Sequence, residues 1–198
     1  MILKYNTIRN IENITENLQI GLEVLKSFGL KYWLSDGALW AIMRQGEVFE
    51  YDHHNWDIGI LGDMPDGFVD EMSKKMLPLE FSNEKIFGKQ QGFAFEYKQW
   101  IFDCRFWYPA GKYLINAQKY PGESGWEIGT FYESAYLFDN LIDLDYHGVK
   151  VPIPSQIENY LAERYGANWK ILRLTGENRW WLYSKSFKND NLIWEKIK

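Results

Sequence analysis

Tyr32-Trp-Leu-Ser-Asp-Gly-Ala-Leu-Trp-Ala-Ile-Met-Arg44 and, a few residues on, Tyr51-Asp-His-His-Asn-Trp-Asp-Ile-Gly59 decide how this chain is read. Lys31 to Ser35 has the apolar, aromatic character of a short strand. Asp36-Gly37 reads as a turn, and Ala38 to Arg44 suits a short helix. A loop from Gln45 to Asn55 follows, and Trp56-Asp-Ile-Gly-Ile-Leu61 reads as a second strand. Strand, turn, helix, loop, strand is a unit that can set polar groups at a helix start beside a carboxylate on the next strand. Gly37 permits close backbone approach there, and a helix N-terminus favours a phosphate.

Outward from that unit the pattern stays mixed. Ile11, Ile14, Leu18, Leu22, Leu25 and Phe28 recur at spacings of three and four, which predicts a helix ended by Gly29. Pro65 suits the first turn of a helix running to about Met76. Residues 78–117 read as β structure, with Phe93, Phe95 and Tyr97 alternating and Trp100 to Tyr108 forming a long strand. Residues 118–145 read as irregular, with Pro121-Gly122 as a turn. Val149 to Ile153 suits a strand. Ile157, Tyr160, Leu161 and Tyr165 then form a helix face closed by Gly166. This order predicts an α+β domain with a mixed sheet, and 198 residues fit one domain over 1–198.

Bulk properties narrow the class. The net charge of −5 argues against a nucleic-acid partner, and one cysteine, Cys104, rules out an internal disulfide. The N-terminus lacks a basic region followed by an apolar run, and no stretch has the length of a transmembrane segment, so a cytoplasmic protein is expected. Aromatics reach 18%, including ten Trp. Most are expected in the core, although Trp180-Trp181 could form a sugar platform.

Two carboxylates stand where chemistry is expected. Asp57 opens the second strand and Asp103 lies in the long later strand between Phe102 and Cys104. On neighbouring strands they can converge on Mg²⁺, which takes few oxygen ligands from protein and the rest from phosphate and water. Phosphoryl transfer then needs positioning and charge neutralisation. An Asp in such surroundings needs a partner, and Arg105 is assigned to the opposite face of the strand. Arg44 can clamp a phosphate or simply serve the helix C-terminus. His53 and His54 are expected to be exposed loop residues, and Cys104 a core residue.

Asp36-Gly-Ala-Leu-Trp-Ala-Ile-Met-Arg44, Val48-Phe-Glu-Tyr-Asp52 and Asn55-Trp-Asp-Ile-Gly59 together resemble the signature of the LicD/fukutin family, approximately G-T-L-L-G-x-x-R, a spacer, then I-P-W-D-x-D-x-D-I-G. Downstream, Tyr136-Leu-Phe138, His147-Gly-Val-Lys-Val-Pro-Ile-Pro154, Tyr160-Leu161 and Tyr165-Gly-Ala-Asn-Trp169 match further family segments in order. The resemblance spans about Tyr32 to Lys170.

It implies a nucleotidyltransferase-like mixed β-sheet flanked by helices. It further implies transfer of phosphocholine or a polyol phosphate from a CDP-linked donor to a hydroxyl of a glycan or lipid-linked glycan, with Mg²⁺ or in its place Mn²⁺. Such a chain would work in the cytoplasm or peripherally at the inner membrane face. Asp57 and Asp103 would be catalytic and metal-binding, Asp103 taking the acceptor proton. Gly37 and Arg44 would bind substrate. The pattern departs at Ala38, where a hydroxyl residue is usual, at Glu50, where Pro is usual, and by one extra residue near His53-His54. Asn55 stands at the first Asp of D-x-D, so Asn55 or Asp52 would complete the metal shell. These departures leave a non-catalytic nucleotide- or glycan-binding domain as the alternative.

Overall fold

The computed structural model describes residues 11–48, 55–122, 125–171, 187–188 and 193–194. Helix α1 (Ile11–Ser27) buries Ile14, Leu18, Leu22 and Leu25 as its spacing predicts, with Ile11 and Phe28 half-buried at the margin. Gly21 on the same helix lets the ring of Phe102 lie directly on its backbone, where a Cβ would come within 2.3 Å of the ring. Asn17 fastens the helix to the sheet, its Nδ2 donating to the Trp100 carbonyl at 2.8 Å.

Strand β1 (Tyr32–Leu34) leads into helix α2 (Asp36–Gln45), and β2 (Asn55–Leu61) follows. Helix α3 (Phe68–Ser73) precedes β3 (Leu77–Ile86), β4 (Lys89–Tyr97), β5 (Trp100–Ala110), β6 (Tyr113–Gly122) and β7 (Gly125–Ser134). A 3₁₀ turn (Ala135–Phe138), β8 (Leu141–Tyr146), β9 (Val149–Pro154), α4 (Ile157–Tyr165) and the short β10 (Phe187–Lys188) complete the described elements.

The main sheet runs β1-β2-β5-β6-β7-β10, with β4 also paired to β5 and β3 to β4; β8 and β9 form a separate hairpin. Its pairings are antiparallel except that of β2 with β5, which is parallel. This is a mixed α+β fold with helices against the sheet. The first half of β5 lies between β2 and β4, and its second half pairs with β6. One face of the β2–β5 pair carries Trp56, Ile58, Ile60, Phe102, Cys104 and Phe106, all buried. Strand geometry sends the alternate residues, Asn55, Asp57, Gly59, Asp103 and Arg105, to the other face.

Three expectations are corrected. Residues 118–145 are not irregular: β6 continues to Gly122, and β7 and β8 occupy most of the rest. The run Thr130-Phe131-Tyr132-Glu133 is buried at every position, so no polar–apolar alternation marks it as strand. Helix α3 starts at Phe68, because Gly67 before it takes a left-handed φ of 78° that a helix beginning at Pro65 could not hold. Helix α2 starts at Asp36, and the expected two-residue turn contracts to that residue, at φ 47°. Asp52, His53, His54, Glu50 and Trp180-Trp181 lie outside the described residues.

Candidate active site

The site begins where β1 meets α2. Ser35 is extended, its N–H donates to the Asp57 carbonyl at 2.8 Å, and its hydroxyl donates to the same oxygen at 3.2 Å. That double contact sets the start of α2 against β2. The Ala38 N–H in the first turn then donates to Oδ2 of Asp57 at 3.1 Å. The first N–H groups of a helix have no partner within it, and a carboxylate there is favoured by the helix dipole. Gly37 sits between Asp36 and Ala38 in this turn. Position 38 needs only its backbone, so the absence of a hydroxyl costs the contact nothing.

Asn55 and Asp57 are two apart on β2 and share a face. The Asn55 Nδ2 donates to Oδ1 of Asp57 at 2.9 Å. Asp57 and Asp103 are direct partners in the parallel register, which places their backbones about 5 Å apart. The two carboxylates that sequence reading selected therefore share one face of two adjoining strands. Small residues flank them: Ala94 pairs with Asp103 on β4, and Arg105 has Gly92 on one side and Gly59 on the other.

Arg105 is placed differently from expectation. Residues two apart on a strand point the same way, so Arg105 shares the face of Asp103. Its Nε and Nη2 both donate to Oδ2 of Asp103, at 3.1 and 2.9 Å, and its Nη1 donates to Oε2 of Glu84 at 3.1 Å. Oδ1 of Asp103 is buried and accepts no hydrogen bond among the described residues. Burial raises the Asp103 pKa, and the guanidinium pulls it partway back. Arg44 lies in the last turn of α2, 5.7 Å from the Trp40 ring, with Nη2 donating to Gln45 at 3.4 Å. Its backbone stands about 9 Å along the helix from Ala38.

A second buried charge cluster backs the α2 turn. Arg164 on α4 is 1% exposed and ion-pairs through Nη2 with Oδ1 of Asp36. Its Nη1 lies 3.5 Å from Oε1 of Glu133, and its guanidinium stacks 4.1 Å from the Phe131 ring centre. The Asp36 N–H donates to the Tyr160 hydroxyl oxygen at 3.1 Å. Glu133 is equally buried, and neither of its carboxylate oxygens accepts a hydrogen bond among the described residues. Burial pushes its pKa up to about 8, against the pull of Arg164.

Sequence reading set Arg105 on the wrong face and passed over Arg164, Glu133 and the Asp36 carboxylate. Arg164 was detectable, because it follows Tyr160 by four residues and so falls on the helix face named as buried. Tyr160 and Trp169 are buried and Tyr165 half-buried, as packing residues should be, and Cys104 is a buried free thiol. Among the described residues no three His, Cys, Asp or Glu converge closely enough to hold a metal ion, and no helix is long and apolar enough to cross a membrane.

No family model matches the chain. It is 27% identical over 183 residues to the ribitol-5-phosphate transferase FKTN of Mus musculus, covering 90% of this chain and 37% of the mouse protein. The Homo sapiens FKTN is 25% identical over 196 residues, covering 96% of this chain and 40% of that protein. The chain is distantly similar to fukutin. It spans about two fifths of the length of these relatives. Among solved structures, the antibiotic-resistance factor ANT(2'')-Ia in solution overlays with a TM-score of 0.45 at 14% identity, over 84% of this chain and 77% of that one. The crystal structure of ANT(2")-Ia with adenylyl-2"-tobramycin overlays at 0.38 and 17% identity, over 73% and 70%.

Proposed function

We propose that this chain is a LicD/fukutin-type transferase with a nucleotidyltransferase-like fold. It would move a phospho-substituent, ribitol phosphate or another polyol phosphate or phosphocholine, from a CDP-linked donor to a glycan hydroxyl. The observation that carries the reading is the pairing of Asp57 with Asp103 across β2 and β5, with the α2 N-terminus on Asp57. The likeness to the ribitol-5-phosphate transferase FKTN supports the choice of transferred group. A lipid-linked acceptor would bring the chain to a membrane surface from the cytoplasmic side.

The donor set fits a hard divalent cation. Two carboxylates lie in register, and Oδ1 of Asp103 is buried without a hydrogen-bond partner among the described residues. Asp57 and Asp103 would hold Mg²⁺ or Mn²⁺, with the amide oxygen of Asn55 as a neutral third ligand and Asp52 as its rival. The ion would neutralise phosphate charge as the donor bond breaks. The remaining lone pair on Oδ1 of Asp103 is open to the acceptor hydroxyl proton, and the raised pKa of that carboxyl suits it to take one. The α2 N-terminus holds Asp57 oriented throughout.

Replacement of Asp57 by Ala tests this. Turnover of a panel of CDP-linked polyols and CDP-choline, read as CMP release with a glycan acceptor, should fall at least about a hundredfold while the far-UV spectrum is kept. Near-normal turnover in the variant refutes the site. One observation favours a second reading, a domain that binds nucleotide or glycan without turnover: Asn55 presents N–H to Asp57 in place of a further carboxylate. No CMP release by the unmodified chain, with CDP binding intact, would select it.

A further inference from the structure

Arg105 occupies a prepared slot. Its neighbour on β4 is Gly92, where a Cβ would stand 2.8 Å from Nη1, and its neighbour on β2 is Gly59. The slot exists because Gly92 carries no side chain; the space over Gly59 is taken by the Trp33 ring, which a Cβ there would meet at 2.4 Å. Within it the guanidinium places two N–H groups on a single oxygen, Oδ2 of Asp103, and turns the third nitrogen to Glu84. Arginine is charged at every accessible pH, and its fork matches a carboxylate. A divalent ion on Asp103 is left the other oxygen, Oδ1, and meets a fixed positive charge beside it.

We propose that Arg105 is a resident cation of this site: it occupies Oδ2 of Asp103 and leaves a divalent ion only Oδ1 beside a fixed positive charge, so the chain binds such an ion weakly and chiefly through Asp57. The inference rests on the reading above that Asp57 and Asp103 form the site. It goes beyond that reading in making part of the site's positive charge a property of the chain, independent of metal supply. The second carboxylate on Arg105, Glu84, keeps the guanidinium from being drawn away when a phosphate arrives.

Titration of the whole chain with Mn²⁺, followed by loss of the free-ion electron paramagnetic resonance signal at pH 8 with and without CDP, tests it. The Arg105→Met variant keeps length and removes charge, and it should bind Mn²⁺ at least about tenfold more tightly than the unmodified chain. Arg105→Lys should fall between them, since an ammonium is a point charge without the planar fork. Unchanged or weaker binding in Arg105→Met overturns the proposal. Should that variant lose its far-UV spectrum, Arg105→Lys decides, and an affinity equal to that of the unmodified chain overturns it. Asp57→Asn separates the two readings. If it weakens Mn²⁺ binding while Arg105→Met changes nothing, only the Arg105 inference fails. If the tightening in Arg105→Met survives Asp57→Asn, the metal role of Asp57 fails instead. Absence of Mn²⁺ binding in every variant overturns both.

Discussion

Glu133→Gln should make the protein more stable at neutral and alkaline pH. The Glu133 carboxyl is 1% exposed, neither oxygen accepts a hydrogen bond among the described residues, and its pKa is pushed from 4.5 to about 8 by burial. The charged groups facing it are Arg164 from α4, Asp36 from α2 and Glu163 from α4. The folded chain holds this proton more tightly than the unfolded chain does. The stability due to the protonated group is therefore complete below pH 4.5 and is lost as pH rises through 8. The loss develops between those two pH values and is of the order of a few kcal/mol by pH 9. Glutamine keeps the shape of the protonated carboxyl and cannot ionise. Urea unfolding of both proteins at intervals from pH 4 to 9 should give curves that coincide at pH 4 and separate as pH rises, with the variant higher by a few kcal/mol. Parallel pH dependences would show that Glu133 is ionised in the fold, with Arg164 as its full partner.

Asn55→Asp sets a second carboxylate against Oδ1 of Asp57, where an amide now donates at 2.9 Å. The variant should melt several degrees lower without metal and recover with Mn²⁺, which should bind about tenfold more tightly; equal melting curves and equal affinity would show that position 55 does not serve a cation. Gly21→Ala places a methyl group 2.3 Å from the fully buried ring of Phe102, a contact that forces α1 away from the sheet. A loss of about 1–3 kcal/mol in urea denaturation is expected, and an unchanged midpoint would mean that the helix shifts freely.

Much of the frame was legible because burial on one side leaves a periodic trace. The stripe Ile14, Leu18, Leu22, Leu25 named a helix and the face it hides. The pair Asp57 and Asp103 could be selected because each interrupts an apolar strand. β7 was hidden for the opposite reason: with both faces covered, Thr130 to Glu133 carry no alternation to read. The buried ion cluster was hidden by distance along the chain. Asp36, Glu133 and Arg164 sit on three elements whose adjacency only the topology decides. The misassigned face of Arg105 was an avoidable error, because the two-residue strand period already puts it beside Asp103.

The parallel pairing of β2 with β5, and the tie from Asp36 to Tyr160 across 124 positions, also bear on how the site comes into being. No local hairpin can bring Asp57 to Asp103, because parallel strands need a crossover; here α3, β3 and β4 lie between them. The turn that orients Asp57 is locked by α4, near the end of the described chain. Closing such long loops is slow relative to forming hairpins such as β6–β7 or β8–β9. During synthesis the β2 edge must therefore wait for β5, Trp56 for Trp100 and Tyr146, Trp33 for Phe138, and the α2 turn for α4. The proposed site is thus completed only after most of the described chain has emerged, while its apolar strands are covered in stages before that.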